Sequence, residues 1–126
     1  MPTILIVDDE EPIRSILKRV AQTTTNNTHT VVTFDGVGNA LEWISRIDEA
    51  PALIITDYKM CGRHGTEILH ATHIKWPHVP VIMVTGTAHS DQEIADFKKN
   101  GLFDYLVKPC TSGEMTLAIT KALNRA

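Results

Sequence analysis

Ala52-Leu53-Ile54-Ile55-Thr56-Asp57, followed at once by Tyr58-Lys59-Met60-Cys61-Gly62, is an apolar run that ends in a carboxylate and then in turn chemistry. A short continuous apolar run bounded by turn signals fits a strand covered on both faces. The chain repeats this plan three more times. Ile4-Leu5-Ile6-Val7 runs into Asp8-Asp9-Glu10, Val81-Ile82-Met83-Val84 into Thr85-Gly86, and Tyr105-Leu106-Val107 into Lys108-Pro109. As parallel strands, these runs bring carboxylates, a hydroxyl and an ammonium to one rim. That set suits a divalent metal and a phosphoryl group.

Outward from these runs, five β-rich segments alternate with five amphipathic ones. Strands are predicted over 3–7, 30–34, 52–56, 80–84 and 104–107, and helices over 11–24, 37–48, 65–75, 90–99 and 112–124. The second strand, Thr30-Val31-Val32-Thr33-Phe34, is more polar and suits a sheet edge. Pro12 fits the first turn of the first helix, where its missing N–H is no loss. Helical spacing recurs in Ile13, Ile16, Leu17 and Val20, and again in Val37, Ala40, Leu41, Ile44 and Ile47. The third helix is expected to bury Ile68, Leu69 and Ile74, and the fifth Met115, Leu117, Ala118, Ala122 and Leu123. Ser90-Asp91-Gln92-Glu93 has the capping-box pattern, and Asn100-Gly101 makes a good stop.

Strict β-α alternation implies a parallel sheet with right-handed crossovers. The expected fold is α/β: a doubly wound five-stranded sheet of flavodoxin-like order 2-1-3-4-5, with helices on both faces. Ligands of such sheets bind beyond the strands' carboxyl ends, where the strand order reverses. Here that point lies between the first and third strands, which end in Asp8-Asp9 and Asp57.

The 126 residues suit a single domain, 1–126, with no output domain in this chain. A hydrophobic fraction of 43% and a charged fraction of 21% are those of a soluble globular protein. The net charge of −3 advertises no nucleic-acid surface. Cys61 and Cys110 lack metal-ligand spacing and read as free thiols. No apolar stretch nears the ~20 residues of a membrane helix, so a cytoplasmic location is expected. His70 and His73 fall three apart on a helix, and with His64 and His78 they read as polar surface residues.

Carboxylates at adjacent strand ends suit Mg2+, or Mn2+, and leave room for phosphate oxygen. Asp57 is the natural nucleophile, because a carboxylate can take a phosphoryl group as an acyl phosphate. Lys108 is a point charge for phosphate. Thr85 offers a hydroxyl to one phosphoryl oxygen.

The Ile4–Glu10 segment, the isolated Asp57 with Met60 and Gly65 behind it, Thr85-Gly86 and Asp104-Tyr105-Leu106-Val107-Lys108-Pro109 together resemble the receiver domain of two-component response regulators. The resemblance covers nearly the whole chain. It implies a phosphoacceptor at Asp57, charged by a histidine kinase or a histidine phosphotransfer protein. It further implies a metal site formed by Asp8, Asp9, Asp57 and the backbone carbonyl of Lys59. Thr85 and Lys108 would contact the phosphoryl group, and Lys108-Pro109 would be cis. Tyr105 would be a switch aromatic that turns inward as Thr85 moves, reshaping the face of the fourth helix, fifth strand and fifth helix. That face would meet a downstream protein, an output domain or a second copy, with no direct contact to nucleic acid or membrane.

Lys59 and Thr87 stand at the positions that tune phosphoryl lifetime in this family. Cys61 stands where the family usually has proline, so a looser loop is expected there. Two other readings compete. A metal-dependent phosphohydrolase would want a second carboxylate two residues after its nucleophile, where Lys59 stands. A flavin site would want a hydroxyl-rich loop where Asp8-Asp9 stands. A receiver-like interaction module without phosphorylation is a third. The expected role is signalling, not turnover of a separate substrate.

Overall fold

The computed structural model describes residues 1–124, and Arg125-Ala126, the last two positions of the domain expected over 1–126, lie outside the described residues. In chain order the elements are β1 (Thr3–Val7), α1 (Glu11–Thr24), β2 (Thr30–Phe34), α2 (Val37–Arg46), β3 (Leu53–Thr56), β4 (Lys59–Met60), β5 (Arg63–His64), α3 (Thr66–Lys75), β6 (Val81–Thr85), α4 (Asp91–Lys99), β7 (Leu102–Val107) and α5 (Ser112–Leu123). The sheet order is β2-β1-β3-β6-β7 with every pairing parallel. Setting aside the β4–β5 hairpin, this is the expected order 2-1-3-4-5, with the polar β2 at an edge.

Alternation along the strands divides the core in two. Leu5, Val7, Ile54, Val81 and Met83 face α2 and α3, where they meet Val37, Ala40, Ile44, Ile68 and Leu69. Ile4, Ile6, Leu53, Ile55, Ile82 and Val84 face α1 and α5, where they meet Leu17, Ala21, Met115, Ala118 and Ile119. Full burial of one such side chain is worth roughly 1.5–3 kcal/mol. These two layers hold the central strands in register and so fix where their tips lie.

Several expectations need correction. β7 begins at Leu102 rather than 104 and ends in the exposed Val107, although its place at the second sheet edge is the expected one. Its pairing with β6 slips between Val81 and Ile82, whose partners are Leu102 and Asp104. Ile74 and Leu117, placed on buried stripes, are 68% and 56% exposed. Thr72 takes the buried place on α3 and returns its hydroxyl to the Ile68 carbonyl at 2.7 Å. α2 stops at Arg46 rather than 48. The last carbonyls of that helix, Ile44 O and Ile47 O just beyond it, each accept from Lys75 Nζ at 2.6 Å, a borrowed cap from α3 for groups that a helix end leaves free.

The hairpin is the element the sequence reading lacks. Lys59 pairs with His64 and Met60 with Arg63, antiparallel. The two loop residues, Cys61 and Gly62, have φ of 49° and 81°. Positive φ at both positions is the signature of a type I′ turn. The segment expected to be a looser loop is therefore a paired hairpin whose turn excludes proline at Cys61.

Candidate functional site

The ladder runs one residue past each central strand. Asp8 N–H donates to Phe34 O at 3.1 Å, and Asp57 N–H donates to Val7 O at 2.9 Å. These two bonds set Asp8 and Asp57 side by side on neighbouring tips. Both are buried, at 0% and 5% exposure, whereas Asp9 and Glu10 are exposed. Carboxylate oxygens of Asp8, Asp9, Glu10 and Asp57 all lie within 4.8 Å of one another.

Lys108 reaches into this group from the end of β7. Its Nζ lies 2.9 Å from Asp8 Oδ2, 3.2 Å from Asp57 Oδ2 and 3.4 Å from Glu10 Oε1. Its backbone N–H donates to Thr85 O at 2.8 Å, which ties the β6 and β7 tips together. The Lys108-Pro109 peptide is cis, as the resemblance implied. Asp8 is further held by the Glu10 N–H on Oδ1 and by Arg14 Nη1 on its carbonyl, each at 2.8 Å. Asp57 Oδ1 accepts from Tyr58 N–H at 2.7 Å.

Gly65, the N-cap residue of α3, packs against the Asp57 backbone. A Cβ at that position would lie 2.0 Å from the Asp57 carbonyl oxygen, so only glycine allows this approach.

Burial pushes both acids up from their ordinary range. For Asp8 desolvation dominates, opposed by the Glu10 amide and Lys108. For Asp57 desolvation is joined by the Asp8 charge, and Lys108 and the Tyr58 amide oppose them. Burial alone would depress the Lys108 ammonium, but its bonds to Asp8 and Asp57 outweigh this and raise it above the ordinary lysine value. The rim thus has more negative than positive charge in a confined space. Hard oxygen donors this close form a set that Mg2+ fits. A cation there would relieve the repulsion that raises the two acids.

The remaining predicted residues lie around this centre. Thr85 is fully buried, and its Oγ1 accepts from Thr87 N–H at 3.0 Å. Thr87 O in turn accepts from the Tyr105 hydroxyl at 2.8 Å, so the three residues form one chain of bonds. Tyr105 is half-buried against the α2–α3 side of the core. The Lys59 side chain is exposed on β4. Cys61 Sγ sits 4.0 Å from Asp9 Oδ2 at the outer edge of the acids. His70 and His73 belong to no group of three or more metal-capable side chains among the described residues.

Four residues outside the sequence-predicted set prove close to it. Glu10 was visible in the Asp8-Asp9-Glu10 triplet. Arg14 lies one helical turn beyond Glu10, and its role needs the fold to be seen. Tyr58 and His89 meet edge to face at 4.3 Å, a contact between two loops that no local pattern encodes.

Residues 4–120 match the family model described as the response regulator receiver domain. This chain belongs to the response regulator receiver family. Among curated relatives of the receiver, the response regulator protein FleR of Pseudomonas aeruginosa is 32% identical over 106 residues, covering 84% of this chain and 21% of FleR. The DNA-binding transcriptional regulator NtrC of Escherichia coli K12 is 30% identical over 122 residues, covering 96% of this chain and 24% of NtrC. The chain therefore spans between a fifth and a quarter of the length of these relatives. A crystal structure of a response regulator receiver domain protein from Clostridium thermocellum superposes with a TM-score of 0.81 at 32% identity, covering 99% of this chain and 96% of that one. The receiver is thus a two-component signalling domain with an acidic pocket able to take a metal. No helix among the described residues is long and apolar enough to cross a membrane.

Proposed function

We propose that this receiver accepts a phosphoryl group on Asp57 and converts that event into a change on its α4–β7–α5 face. The observation that carries the reading is the Lys108 ammonium set between Asp8 Oδ2 and Asp57 Oδ2, at 2.9 and 3.2 Å. A lysine so placed can follow an Asp57 oxygen as it is phosphorylated and then neutralise the new phosphoryl charge.

In the step, an Asp57 carboxylate oxygen attacks phosphorus. The new O–P bond forms as the donor bond breaks, either the N–P bond of a phosphohistidine or the O–P bond of acetyl phosphate. The bonding pair leaves with the imidazole nitrogen or with acetate. The buried Asp57 is held on Oδ1 by the Tyr58 amide, which limits its rotation. Asp8, Asp9, Asp57 and the Lys59 carbonyl would hold Mg2+ or Mn2+. The bound ion would supply positive charge to the phosphoryl oxygens. Thr85 turns its hydroxyl from the Thr87 amide to a phosphoryl oxygen.

The proposed donors are a histidine kinase or a histidine phosphotransfer protein, and the proposed receptor of the signal is a downstream protein or output domain. The setting is cytoplasmic, and the chemistry is self-phosphorylation and self-dephosphorylation rather than turnover of a separate substrate. A phosphohydrolase reading is weaker, because the exposed Lys59 occupies the place of the second acid.

Incubation of the chain with acetyl phosphate and Mg2+, read by intact mass, tests this. One added phosphoryl group is expected, absent in Asp57→Asn and in chelator; an unchanged mass would remove the reading. Lys59 and Thr87 are proposed to lengthen the phosphoryl lifetime, Lys59 by screening the charge. Lys59→Asn should then lose phosphate faster than wild type, and equal rates would exclude its side chain.

A further inference from the structure

His89 lies in the loop between β6 and α4, and its ring touches parts of the molecule that are far apart in sequence. Its Nδ1 is 2.7 Å from the Tyr105 hydroxyl on β7. Its ring meets that of Tyr58, next to Asp57, in a T-shaped contact at 4.3 Å between centroids, and Phe97 of α4 at 5.1 Å. Hydrogen-bond roles are fixed by accounting for donors. The Tyr105 hydroxyl has one hydrogen, which goes to Thr87 O at 2.8 Å. The phenol oxygen must then accept, so His89 Nδ1 carries the hydrogen. His89 Nε2 is buried with no partner, so the ring makes its one polar bond through Nδ1.

α4 has no buried residue, and its half-buried side chains are Ile94 and Phe97. His89 thus sits on the route from the Thr85–Thr87 bond chain to α4. We propose that His89 is a positioning residue for the switch, clasping the Tyr105 hydroxyl and the Phe97 ring so that movement of Thr85 and Thr87 reaches α4. The inference rests on phosphorylation of Asp57. It adds a coupling element that neither the Thr85 hydroxyl nor the Tyr105 ring supplies alone. Without the clasp, the phosphoryl group still forms, but the loosely seated helix does not follow it.

The test uses the full chain with Mg2+ and acetyl phosphate, and reads two signals together. Intact mass reports the phosphoryl group. Backbone amide shifts of Ile94, Phe97 and Lys99 report α4. His89→Phe fills the space and removes the donor, while His89→Asn retains a side-chain N–H near Nδ1. Expected are wild-type phosphoryl gain in both variants, an α4 response reduced at least several-fold in His89→Phe, and recovery of most of it in His89→Asn. Tyr105→Phe should lose the same response, and the His89→Phe, Tyr105→Phe double variant should lose no more, since the two act through one bond. A wild-type α4 response in His89→Phe overturns the clasp while leaving phosphorylation intact. Absence of phosphoryl gain in the wild type overturns the underlying reading and the clasp with it.

Discussion

Asp8 and Asp57 are acids that burial makes harder to ionise, helped by the Glu10 charge at Asp8 and by the Asp8 charge at Asp57, and both sit above the ordinary value of 3.8. A carboxyl with a raised folded pKa binds its proton more tightly in the folded chain. Its contribution to stability is full below the unfolded value and is lost as pH rises through the raised one. The metal-free rim is therefore strained at neutral pH. Asp57→Asn should raise Tm at pH 7 in chelator, the gain should shrink as pH falls toward the ordinary carboxyl range, and Mg2+ should narrow it. Thermal melts of the two proteins across pH, with and without Mg2+, check this; a lower Tm for Asp57→Asn at pH 7 in chelator would contradict it. The acids and Lys108 were legible because each ends a strand-like run. The strain was not, since it depends on the depth to which two non-local strands bury their tips.

At the scale of elements, apolar runs and helix caps mark the units well. The boundaries of α1 and β1 match expectation, and the Ser90 and Thr111 capping boxes are both formed. Ile74 and Leu117 were misplaced on buried stripes for a geometric reason. They lie six residues from Ile68 and two from Met115, spacings that point away from the buried face at about 100° per residue. The β4–β5 hairpin was hidden because two-residue strands carry no alternation, and Cys61-Gly62 is not a common turn pair. Its left-handed Cys61 yields a prediction. Proline cannot adopt φ of 49°, so Cys61→Pro should cost more than about 1 kcal/mol. Cys61→Asn, which tolerates that region, should be nearly neutral. Denaturant midpoints decide it, and a Cys61→Pro variant as stable as wild type would show that the turn is not required.

Across the whole molecule, the order β2-β1-β3-β6-β7 is what brings residues 8, 57, 85 and 108 to one end. β-α alternation made the parallel sheet and the hand of its crossovers readable from sequence, while the order itself came from the flavodoxin-like expectation with the polar second strand at an edge. The coupling from rim to α4 was not readable, because His89 acts through rings contributed by three separate segments. The same topology separates chemistry from output: the acids belong to the centre of the sheet, and the proposed responding face belongs to its β7 edge. On the proposed mechanism, one carboxylate at this rim takes the phosphoryl group. Borohydride reduces an aspartyl phosphate to homoserine, which peptide mapping places to the residue. After treatment with acetyl phosphate and Mg2+, conversion is expected at Asp57 alone and should vanish in chelator. Conversion at another residue, or equal conversion at Asp57 without the metal, would contradict it.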